Sequence, residues 1–427
     1  MLEFNDFFQY HMKTKHSYYS VRNFPNRLDW NNQPSAFKSY PKNFASIELD
    51  LEKENHSFIY YIAGISAKKT YPGVEYYLRI NPSAGALYPN EIYFQSRGNK
   101  DFEDGIYHFD IAASSVTLLQ KIDNDGLEPF FNLEYKENGF IFLISNIYYR
   151  SSWKYKNRAL RYCLLDAGHI LGSLEASSYL HNKEYKIAYD FDKEKLNEAF
   201  SFDQKEFFTS AVFLTKTTNE KVGTLSLDLP TIDGSLIFEE NEMIEQAYKN
   251  SLSSIESVEQ KEKATFTFEK NFYKEIIFKR RSIRDLNKKS ISKIEFESIL
   301  EILNKPITST CDEELNIYCV INRVEGMKLG LMKNGEYLKV GDFIKKAGYL
   351  CLEQDLGSSS AVTFFITSNS KNYQAMYQKA GIIGHRLYLA SNYLGLGCSG
   401  IGAYYDDEVC EFVEEYSQVL YALAIGK

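Results

Sequence analysis

The sequence lacks the features of a membrane protein and of a protein that binds polyanions. No apolar run approaches the roughly 20 residues of a membrane-spanning helix, and the first residues, MLEFNDFFQYHMKTKHSYY, have no apolar core of a secretory signal. Basic residues show no surplus, because 49 lysines and arginines face 57 aspartates and glutamates, for a formal net charge of -8. We therefore expect a cytoplasmic protein with neither a nucleic-acid nor a membrane partner.

Patterns that hold metals or disulfides are also missing. The six cysteines form no CxxC pair, and the seven histidines form no HxxxH or HExxH arrangement. Most of the cysteines lie within apolar runs, which is typical of reduced thiols in a core. The sequence therefore predicts no metal site.

What the chain does contain is an internal repeat. Residues 158–180 (RALRYCLLDAGHILGSLEASSYL) and residues 373–397 (YQAMYQKAGIIGHRLYLASNYLGLG) share an Ala-Gly pair with a histidine nearby. The apolar periodicity of the first segment predicts a long core helix, and the second echoes it. The matching β-rich stretches and acidic helix starts occupy residues 90–120 and 190–200 in the first half and 314–340 and 405–416 in the second. Two α+β domains of one ancestry are the economical interpretation.

The boundary between the halves is marked by composition. Residues 216–264 mix a TTNEKVG segment, a proline-containing stretch and a polar run, which suits a connecting arm. We predict an N-terminal domain at residues 1–215, the arm at 216–264, and a C-terminal domain at 265–427.

An arginine cluster opens the second half. The RRSIR segment contains Arg280, Arg281, Ser282 and Arg284, and Ser292 follows as a plausible cap of an amphipathic helix. Guanidinium groups bind phosphate oxygens in bidentate pairs, and a helix start adds oriented N–H donors. Phosphate binding and a solvated basic turn are equally good interpretations of this segment taken alone.

Two glycine-containing segments are candidates for close approach to a cofactor. In residues 80–94 (INPSAGALYPNEIYF), small side chains would let the backbone reach a planar ring such as a flavin, whose N1/O2 edge needs donors; a plain tight turn is the alternative. Residues 395–402 (GLGCSGIG) contain GxGxxG but follow a predicted helix, whereas a dinucleotide-binding motif must follow a strand and open a helix. We predict a loop laid against a cofactor there, not a dinucleotide-binding fingerprint.

Three segments in order carry a family resemblance. PSAGALYPNEIYF, GIYHFD (105–110) and WKYKNRALRYCLLDAGH (153–169) resemble the SagB/McbC-type dehydrogenases of the nitroreductase superfamily, and RRSIR and GLGCSGIG resemble that superfamily's flavin motifs. The resemblance covers most of the chain outside the arm. It implies an α+β flavoprotein fold, non-covalent FMN, and oxidation of thiazoline or oxazoline rings to azoles in a ribosomally made precursor peptide. A cyclodehydratase complex is the partner it suggests.

The resemblance also implies how the flavin site is divided. Nitroreductases usually dimerise with FMN at the interface, yet here the PSAG loop survives only in the first half and RRSIR and GLGCSGIG only in the second, where ITSTCDEE (307–314) replaces the loop. We expect an intrachain pseudo-dimer of two nitroreductase-like domains, monomeric, with one FMN site and one vestigial site. The predicted cofactor-binding residues are Pro82, Ser83, Ala84, Gly85, Leu87, Arg280, Arg281, Ser282, Arg284, Gly400, Ile401, Gly402 and Lys427.

Lys154 and Tyr155 are the catalytic candidates, because the resembled family carries a Lys-Tyr pair in this WKY context. To aromatise an azoline, a hydride and a proton must leave neighbouring carbons, so a base is needed beside the ring. An ammonium group next to a phenol favours the phenolate. The structural alternative is that Lys154 is solvated and Tyr155 simply packs.

Two other functions remain open at the level of sequence. One is an NAD(P)H-dependent reductase of nitro, quinone or enamide groups. The other is a flavin-free scaffold that binds the peptide or its modifying enzymes.

Overall fold

The computed structural model describes residues 6–23, 28–71, 74–227, 229–235, 237–252 and 258–427. Its helices are α1 (Asp6–Lys13), α2 (Tyr18–Asn23), α3 (Glu54–Ala63), α4 (Tyr149–Tyr155), α5 (Ala159–Leu180), α6 (Lys193–Ala199), α7 (Glu242–Asn250), α8 (Lys270–Lys279), α9 (Lys293–Leu303), α10 (Ile344–Leu350), α11 (Asp355–Ser359), α12 (Tyr373–Tyr393) and α13 (Asp406–Val413). Its strands are β1 (Ser46–Glu48), β2 (Ile65–Tyr71), β3 (Val74–Arg79), β4 (Asn90–Arg97), β5 (Gly105–Asp110), β6 (Ser115–Lys121), β7 (Asp125–Gly126), β8 (Tyr135–Ile147), β9 (Lys186–Ala188), β10 (Glu206–Lys221), β11 (Gly223–Thr224), β12 (Asn316–Ile321), β13 (Gly330–Lys333), β14 (Glu336–Val340), β15 (Val362–Ser368), β16 (Gly397–Ile401) and β17 (Gln418–Gly426).

The chain divides into two compact units. The N-unit comprises Leu28–Glu262 and Ile307–Asp312, and the C-unit comprises Met1–Arg27, Lys263–Pro306 and Glu313–Lys427. Each unit has its own sheet and its own buried apolar cluster. Two tandem α+β units are therefore present, as the internal repeat predicts.

The N-unit is built on a seven-stranded sheet in the order β1-β6-β5-β4-β8-β10-β9, with antiparallel neighbours throughout. Strands β4 and β8 form its centre, where β4 is buried along its whole length. Helix α5 follows β8 and packs against β8, β4 and α3. Most α5 side chains are buried, so this helix belongs to the core rather than to the surface.

The C-unit repeats this topology. Its six-stranded sheet runs β14-β13-β12-β15-β17-β16, again with antiparallel neighbours. If β1 is set aside, each strand has a counterpart at the same place in the N-unit sheet and in the same chain order. Helix α12 follows β15 as α5 follows β8, and the short acidic helix α13 precedes β17 as α6 precedes β10. Strand β16 is therefore the counterpart of β9.

Local signals in the sequence fix the ends of several helices. Ser292 caps α9 in a capping box, because its side chain accepts from the Glu295 N–H while the Glu295 carboxylate accepts from the Ser292 N–H. Asp192 and Asn372 cap α6 and α12 in the simpler way, through one side-chain acceptor each. The cap predicted at Ser292 is confirmed.

The GLGCSGIG segment forms a strand, so the loop predicted there is wrong. Strand β16 pairs with β17 in a register that sets Gly397 opposite Gly426. Its glycines serve close packing: a Cβ on Gly400 would lie 2.1 Å from the Tyr421 hydroxyl, and one on Gly397 would lie 3.0 Å from Ile283. Gly397 and Gly400 therefore reflect close packing against side chains at the edge of the sheet.

Helix α1 and the residues that follow it pack with the C-unit and not with the N-terminal domain predicted at residues 1–215. Phe7 of α1 lies 5.5 Å from Tyr373 at the start of α12, measured between ring centroids. Lys15 forms a 2.6 Å ion pair with Asp407 of α13. These contacts are between residues distant in sequence, which local patterns do not reveal.

The predicted connecting arm at residues 216–264 is mostly part of the N-unit. Strand β10 continues to Lys221, past the predicted boundary. Helix α7 packs through Tyr248, whose ring stacks on Phe207 at 3.9 Å and whose hydroxyl donates to the Phe208 carbonyl at 3.0 Å. The end of β10 therefore extends the N-unit sheet, and α7 adds to the N-unit core.

All six cysteines are free thiols; five are buried and Cys410 is half-buried. Within the described ranges, no helix is both long enough and apolar enough to cross a membrane.

Candidate functional site

The PSAG loop lies between β3 and β4 of the N-unit in an unusual backbone conformation. Ala84–Ala86 form a short 3-10 turn, and φ is positive at Gly85 (66°), Ala86 (55°) and Tyr88 (46°). Residues with a Cβ rarely adopt such angles, and they persist only where the surroundings hold them. Pro82 and Leu87 are buried while Gly85 is exposed, so the loop presents its glycine to solvent.

Asp166 of α5 holds the first half of this loop. The Ser83 hydroxyl donates to the Asp166 carboxylate at 2.6 Å, and the Ala84 N–H donates to the same carboxylate at 3.2 Å. Ser83 Oγ also accepts from the Tyr88 N–H at 2.9 Å, which closes the loop on itself. Burial raises the pKa of Asp166 to about 7, although the Ser83 hydroxyl and the Ala84 N–H favour its ionised form.

The loop rests directly against the Lys-Tyr pair. A Cβ placed on Gly85 would lie 2.8 Å from Tyr155 Oη and 3.1 Å from Lys154 Nζ, so both polar ends lie on the side of Gly85 where a side chain would begin. Lys154 Nζ lies 5.5 Å from the centroid of the Tyr155 ring, which stacks on Tyr162 at 4.0 Å. Both side chains are half-buried. The PSAG loop and the Lys-Tyr pair, which come from separate segments of the sequence, therefore lie next to each other in the N-unit.

A buried charged network joins the loop to α4, the helix that carries the pair. Arg150 Nη1 donates to the Tyr88 carbonyl at 3.0 Å and to Glu91 Oε1 at 2.5 Å. His108 Nε2 lies 2.9 Å from the other Glu91 oxygen. Burial alone would raise the pKa of Glu91, but Arg150 and His108 bring it down to about 2. The carboxylate therefore anchors α4 to β4 below the loop.

Aromatic side chains flank the pair on α4. Leu87, Tyr149 and Trp153 form a small buried cluster, against which Tyr155 packs. The Trp153 indole N–H donates to the Asp29 carbonyl at 2.9 Å, and Trp30, which is 64% exposed, meets the Trp153 ring edge-on at 5.4 Å. Leu87, predicted to bind the cofactor, belongs to this packing beneath the loop.

In the C-unit, Tyr388 of α12 connects the two predicted flavin motifs. Its hydroxyl lies 2.8 Å from Ser282 Oγ and accepts from the Gly400 N–H at 2.6 Å. The Arg280 guanidinium lies 5.3 Å from the centroid of the Tyr388 ring. Ile283 adds a backbone hydrogen bond of 3.0 Å to the Cys398 carbonyl of β16. The RRSIR segment therefore lies along the outer side of β16.

The remaining predicted residues of the C-unit differ in exposure. Ser282 and Arg284 are exposed, Arg280 and Ile401 are buried, and Gly400 and Gly402 are half-buried. The Arg281 guanidinium donates to the Phe278 carbonyl at 3.0 Å. The Lys427 carbonyl accepts from the Asn287 N–H at 2.6 Å, and the Lys427 ammonium lies 3.8 Å from the Glu295 carboxylate.

Residues 307–312 occupy the outer side of β9 in the N-unit. The Ile187 N–H donates to the Thr308 carbonyl at 3.1 Å, and the Thr310 N–H donates to the Ile187 carbonyl at 2.9 Å. Ser309 of the same segment also pairs with Gln260. The Gln260 N–H donates to the Ser309 carbonyl at 3.0 Å, and the Ser309 N–H donates to the Gln260 carbonyl at 3.2 Å. Because β9 is the counterpart of β16, residues 307–312 occupy the same position in the N-unit as RRSIR occupies in the C-unit.

The exposed donors fit the chemistry of FMN in two places. The Ser282 hydroxyl and the Arg284 guanidinium, beside β16, suit a phosphate. The exposed Gly85 backbone, with Lys154 and Tyr155 against it, suits the edge of a planar ring. In the part of the chain that the structure describes, no three histidine, cysteine, aspartate or glutamate side chains come together as metal ligands.

Sequence patterns did not reveal Asp166 or Tyr388. The one sequence signal for Asp166 is that a carboxylate stands in the middle of an apolar helix. A carboxylate at such a position is typical of a buried hydrogen-bond acceptor. Tyr388 leaves none, because the chain has 33 tyrosines and its helix contains several of them.

Comparisons with known proteins agree with this fold. A model of the nitroreductase family matches residues 277–427, which include RRSIR and β16. A crystal structure described as a "putative nitroreductase" from Anabaena variabilis aligns over 99% of this chain and 99% of its own, with a TM-score of 0.80 and 23% identity. A comparison with curated proteins finds no match. The chain therefore has a nitroreductase-like α+β fold with two tandem units.

More distant structures align over parts of the chain. NfrA1 nitroreductase from Bacillus subtilis covers 36% of this chain and 65% of its own, with a TM-score of 0.29 and 16% identity. The Escherichia coli microcin synthetase McbBCD complex with truncated pro-MccB17 bound covers 48% and 83%, with a TM-score of 0.31 and 14% identity. Likenesses this low carry no functional argument.

Proposed function

We propose that this protein is an FMN-dependent oxidoreductase that dehydrogenates azolines to azoles in a ribosomally synthesised precursor peptide. The observation that carries the proposal is the contact of Gly85 with Lys154 and Tyr155. Their polar ends lie about 3 Å from the position that a Cβ on Gly85 would occupy, and the loop exposes this glycine to solvent. The segments that contain these residues are those that resemble SagB/McbC-type dehydrogenases.

The chain's own residues can perform the proton half of the reaction. As the azoline ring loses a hydride from one carbon and a proton from its neighbour, Tyr155 Oη would accept the proton. The Lys154 ammonium beside it favours the phenolate over the phenol. Bound FMN would supply the hydride acceptor, with dioxygen as the final acceptor of the two electrons. Stacking on Tyr162 fixes the orientation of the Tyr155 ring.

We propose that FMN binding uses two sets of residues. The loop of Ser83, Ala84 and Gly85 would face the ring, and Ser282 and Arg284 would face the phosphate. The segment at residues 307–312 supports one flavin per chain, because it fills the edge beside β9 where a second arginine segment would have to lie. We further propose a monomer that acts beside a cyclodehydratase complex.

The test is an aerobic assay of the purified protein with a thiazoline-containing peptide, followed by mass spectrometry for the loss of two hydrogen atoms per ring. Tyr155→Phe should lower kcat by roughly 10²- to 10⁴-fold, the usual contribution of a positioned general base, with bound FMN unchanged. Lys154→Met should lower kcat, and the pH at which the rate increases should be higher than in the wild type. Lys154→Arg keeps the positive charge, so both changes should be smaller.

Tyr135→Phe is the matched control, because Tyr135 is an exposed tyrosine of the same unit and should behave as wild type. Rapid bleaching of the flavin by NADPH, with no azoline oxidised, would replace the proposal with an NAD(P)H-dependent reductase of nitro, quinone or enamide groups. A colourless protein that takes up no FMN would replace it with a peptide-binding scaffold.

A further inference from the structure

Asp166 is a buried carboxylate with no place in the proton transfer described above. It is 3% exposed in the middle of α5, 83 residues from its hydrogen-bond partner Ser83. Burying a carboxylate costs free energy unless donors compensate it. Here both donors come from the loop that contacts the Lys-Tyr pair.

The two donors restrain the loop at adjacent residues. The Ser83 hydroxyl and the Ala84 N–H both point at the Asp166 carboxylate, at 2.6 and 3.2 Å. Because Ser83 Oγ also accepts from the Tyr88 N–H, the carboxylate orients the hydroxyl that closes the loop. The next residue after Ala84 is Gly85, whose backbone meets Tyr155. A shift of Asp166 would therefore move the glycine against the catalytic candidate.

The groups around Asp166 explain why the pKa of its carboxyl group is raised toward neutrality. Burial raises its pKa to about 7, opposed first by the Ser83 hydroxyl, then by the Ala84 N–H, and last by the charge of Arg79. Cys163 lies one turn earlier on α5, and burial raises the pKa of its thiol, with a smaller contribution from Asp166. A protonated Asp166 would accept less strongly from both donors.

We propose that Asp166 is a positioning residue that holds residues 83–85 in the shape required for the flavin ring and for contact with Lys154 and Tyr155. The inference rests on the proposed function, since it concerns the loop assigned to the ring. Through Ser83 and Ala84, the ionised carboxylate keeps the Gly85 backbone presented to solvent. The protonated form releases this restraint, so FMN binds more weakly as the pH falls through neutrality.

The test measures FMN affinity instead of turnover. Apoprotein is titrated with free FMN, and flavin fluorescence is followed at several values between pH 6 and pH 8. Asp166→Asn should raise the dissociation constant about tenfold at the alkaline end, the size expected for the loss of one charge-assisted hydrogen bond, and should flatten the pH dependence. Asp110→Asn, a buried aspartate that caps the Ala113 N–H in the β5–β6 turn, is the matched control and keeps the wild-type profile.

A second pair of variants covers the case in which Asp166→Asn fails to fold. Ser83→Ala removes the donor and should weaken FMN binding, while Ser83→Thr keeps a hydroxyl and should restore it. Wild-type affinity and an unchanged pH profile in both Asp166→Asn and Ser83→Ala would overturn the inference. Wild-type protein that binds no FMN at any pH would instead overturn the proposed function.

Discussion

The hydroxyl of Tyr155 lies 2.8 Å from the position that a Cβ on Gly85 would occupy. Glycine is favoured at this place, because its φ of 66° strains residues that have a Cβ and because an added Cβ would contact the ends of Tyr155 and Lys154. The contact joins a loop before β4 to the end of α4. It is the geometric basis for assigning both segments to one site.

Gly85→Ala should therefore damage the site more than the fold. The added methyl group must displace the Tyr155 hydroxyl or the Lys154 ammonium, so azoline oxidation should fall by at least tenfold, as expected when a catalytic group is misplaced. Peptide oxidation followed by mass spectrometry measures this effect.

Gly335→Ala is the control for backbone strain, because Gly335 also has a positive φ, of 95°, but nothing lies within 4 Å of an added Cβ. It should cost about 1 kcal/mol of stability and leave oxidation unchanged. If Gly85→Ala oxidised peptide at the wild-type rate, the loop and the pair would not act together.

Tyr388→Phe should weaken FMN binding by separating RRSIR from β16. Removing the hydroxyl leaves the Gly400 N–H and Ser282 without the bridge between them, which costs about 1–3 kcal/mol of stability. Ser282 should then bind phosphate less well, and fluorescence titration with FMN measures the change.

Tyr393→Phe is a control on the same helix, since Tyr393 also accepts from a backbone N–H, that of Glu269, at 3.1 Å. It should destabilise the protein without changing FMN affinity. Equal losses of affinity in the two variants would show that general damage to α12 explains the effect.

The Glu91 network predicts how stability depends on acid. The pKa of Glu91 is about 2 in the folded protein, below its ordinary value of 4.5. A carboxylate whose pKa is lower in the folded than in the unfolded protein stabilises the folded state above about pH 4.5. This stabilisation is lost as the pH falls toward 2. The shift corresponds to about 3 kcal/mol in the free energy of unfolding.

Glu91→Gln should abolish this part of the acid dependence in urea unfolding. At neutral pH it should also cost about 3–5 kcal/mol, because the Arg150 charge stays buried without its partner. Glu75→Gln removes an exposed carboxylate paired with Lys68 and should change little. A Glu91→Gln variant with the wild-type acid profile would show that Glu91 does not anchor α4.

The sequence predicted the elements whose signals are local. Helix α5 begins one residue from the predicted start, and Ser292 caps α9 as expected, because periodicity and capping depend on a few neighbouring residues. The internal repeat was predicted from the similar order of segments, and the matching strand orders of the two sheets confirm it. The strand at GLGCSGIG was missed because its glycines are required by contacts with Tyr421 and Ile283.

The parts that could not be predicted depend on residues far apart in the chain. Residues 307–312 pair with β9, and α1 packs on α12, through contacts that no local pattern encodes. Asp166 and Tyr388 act through hydrogen bonds across 83 and 106 residues. Lys154 and Tyr155 were assigned from the resemblance, and the structure adds their contact with Gly85.

The most direct test of the account is to count the FMN released per chain from the purified protein and from Arg284→Ala. We predict one FMN per chain in the wild type and its loss in the variant, because the arginine segment lies beside β16 and residues 307–312 fill the corresponding edge beside β9. Two FMN per chain, or undiminished binding in Arg284→Ala, would contradict the account.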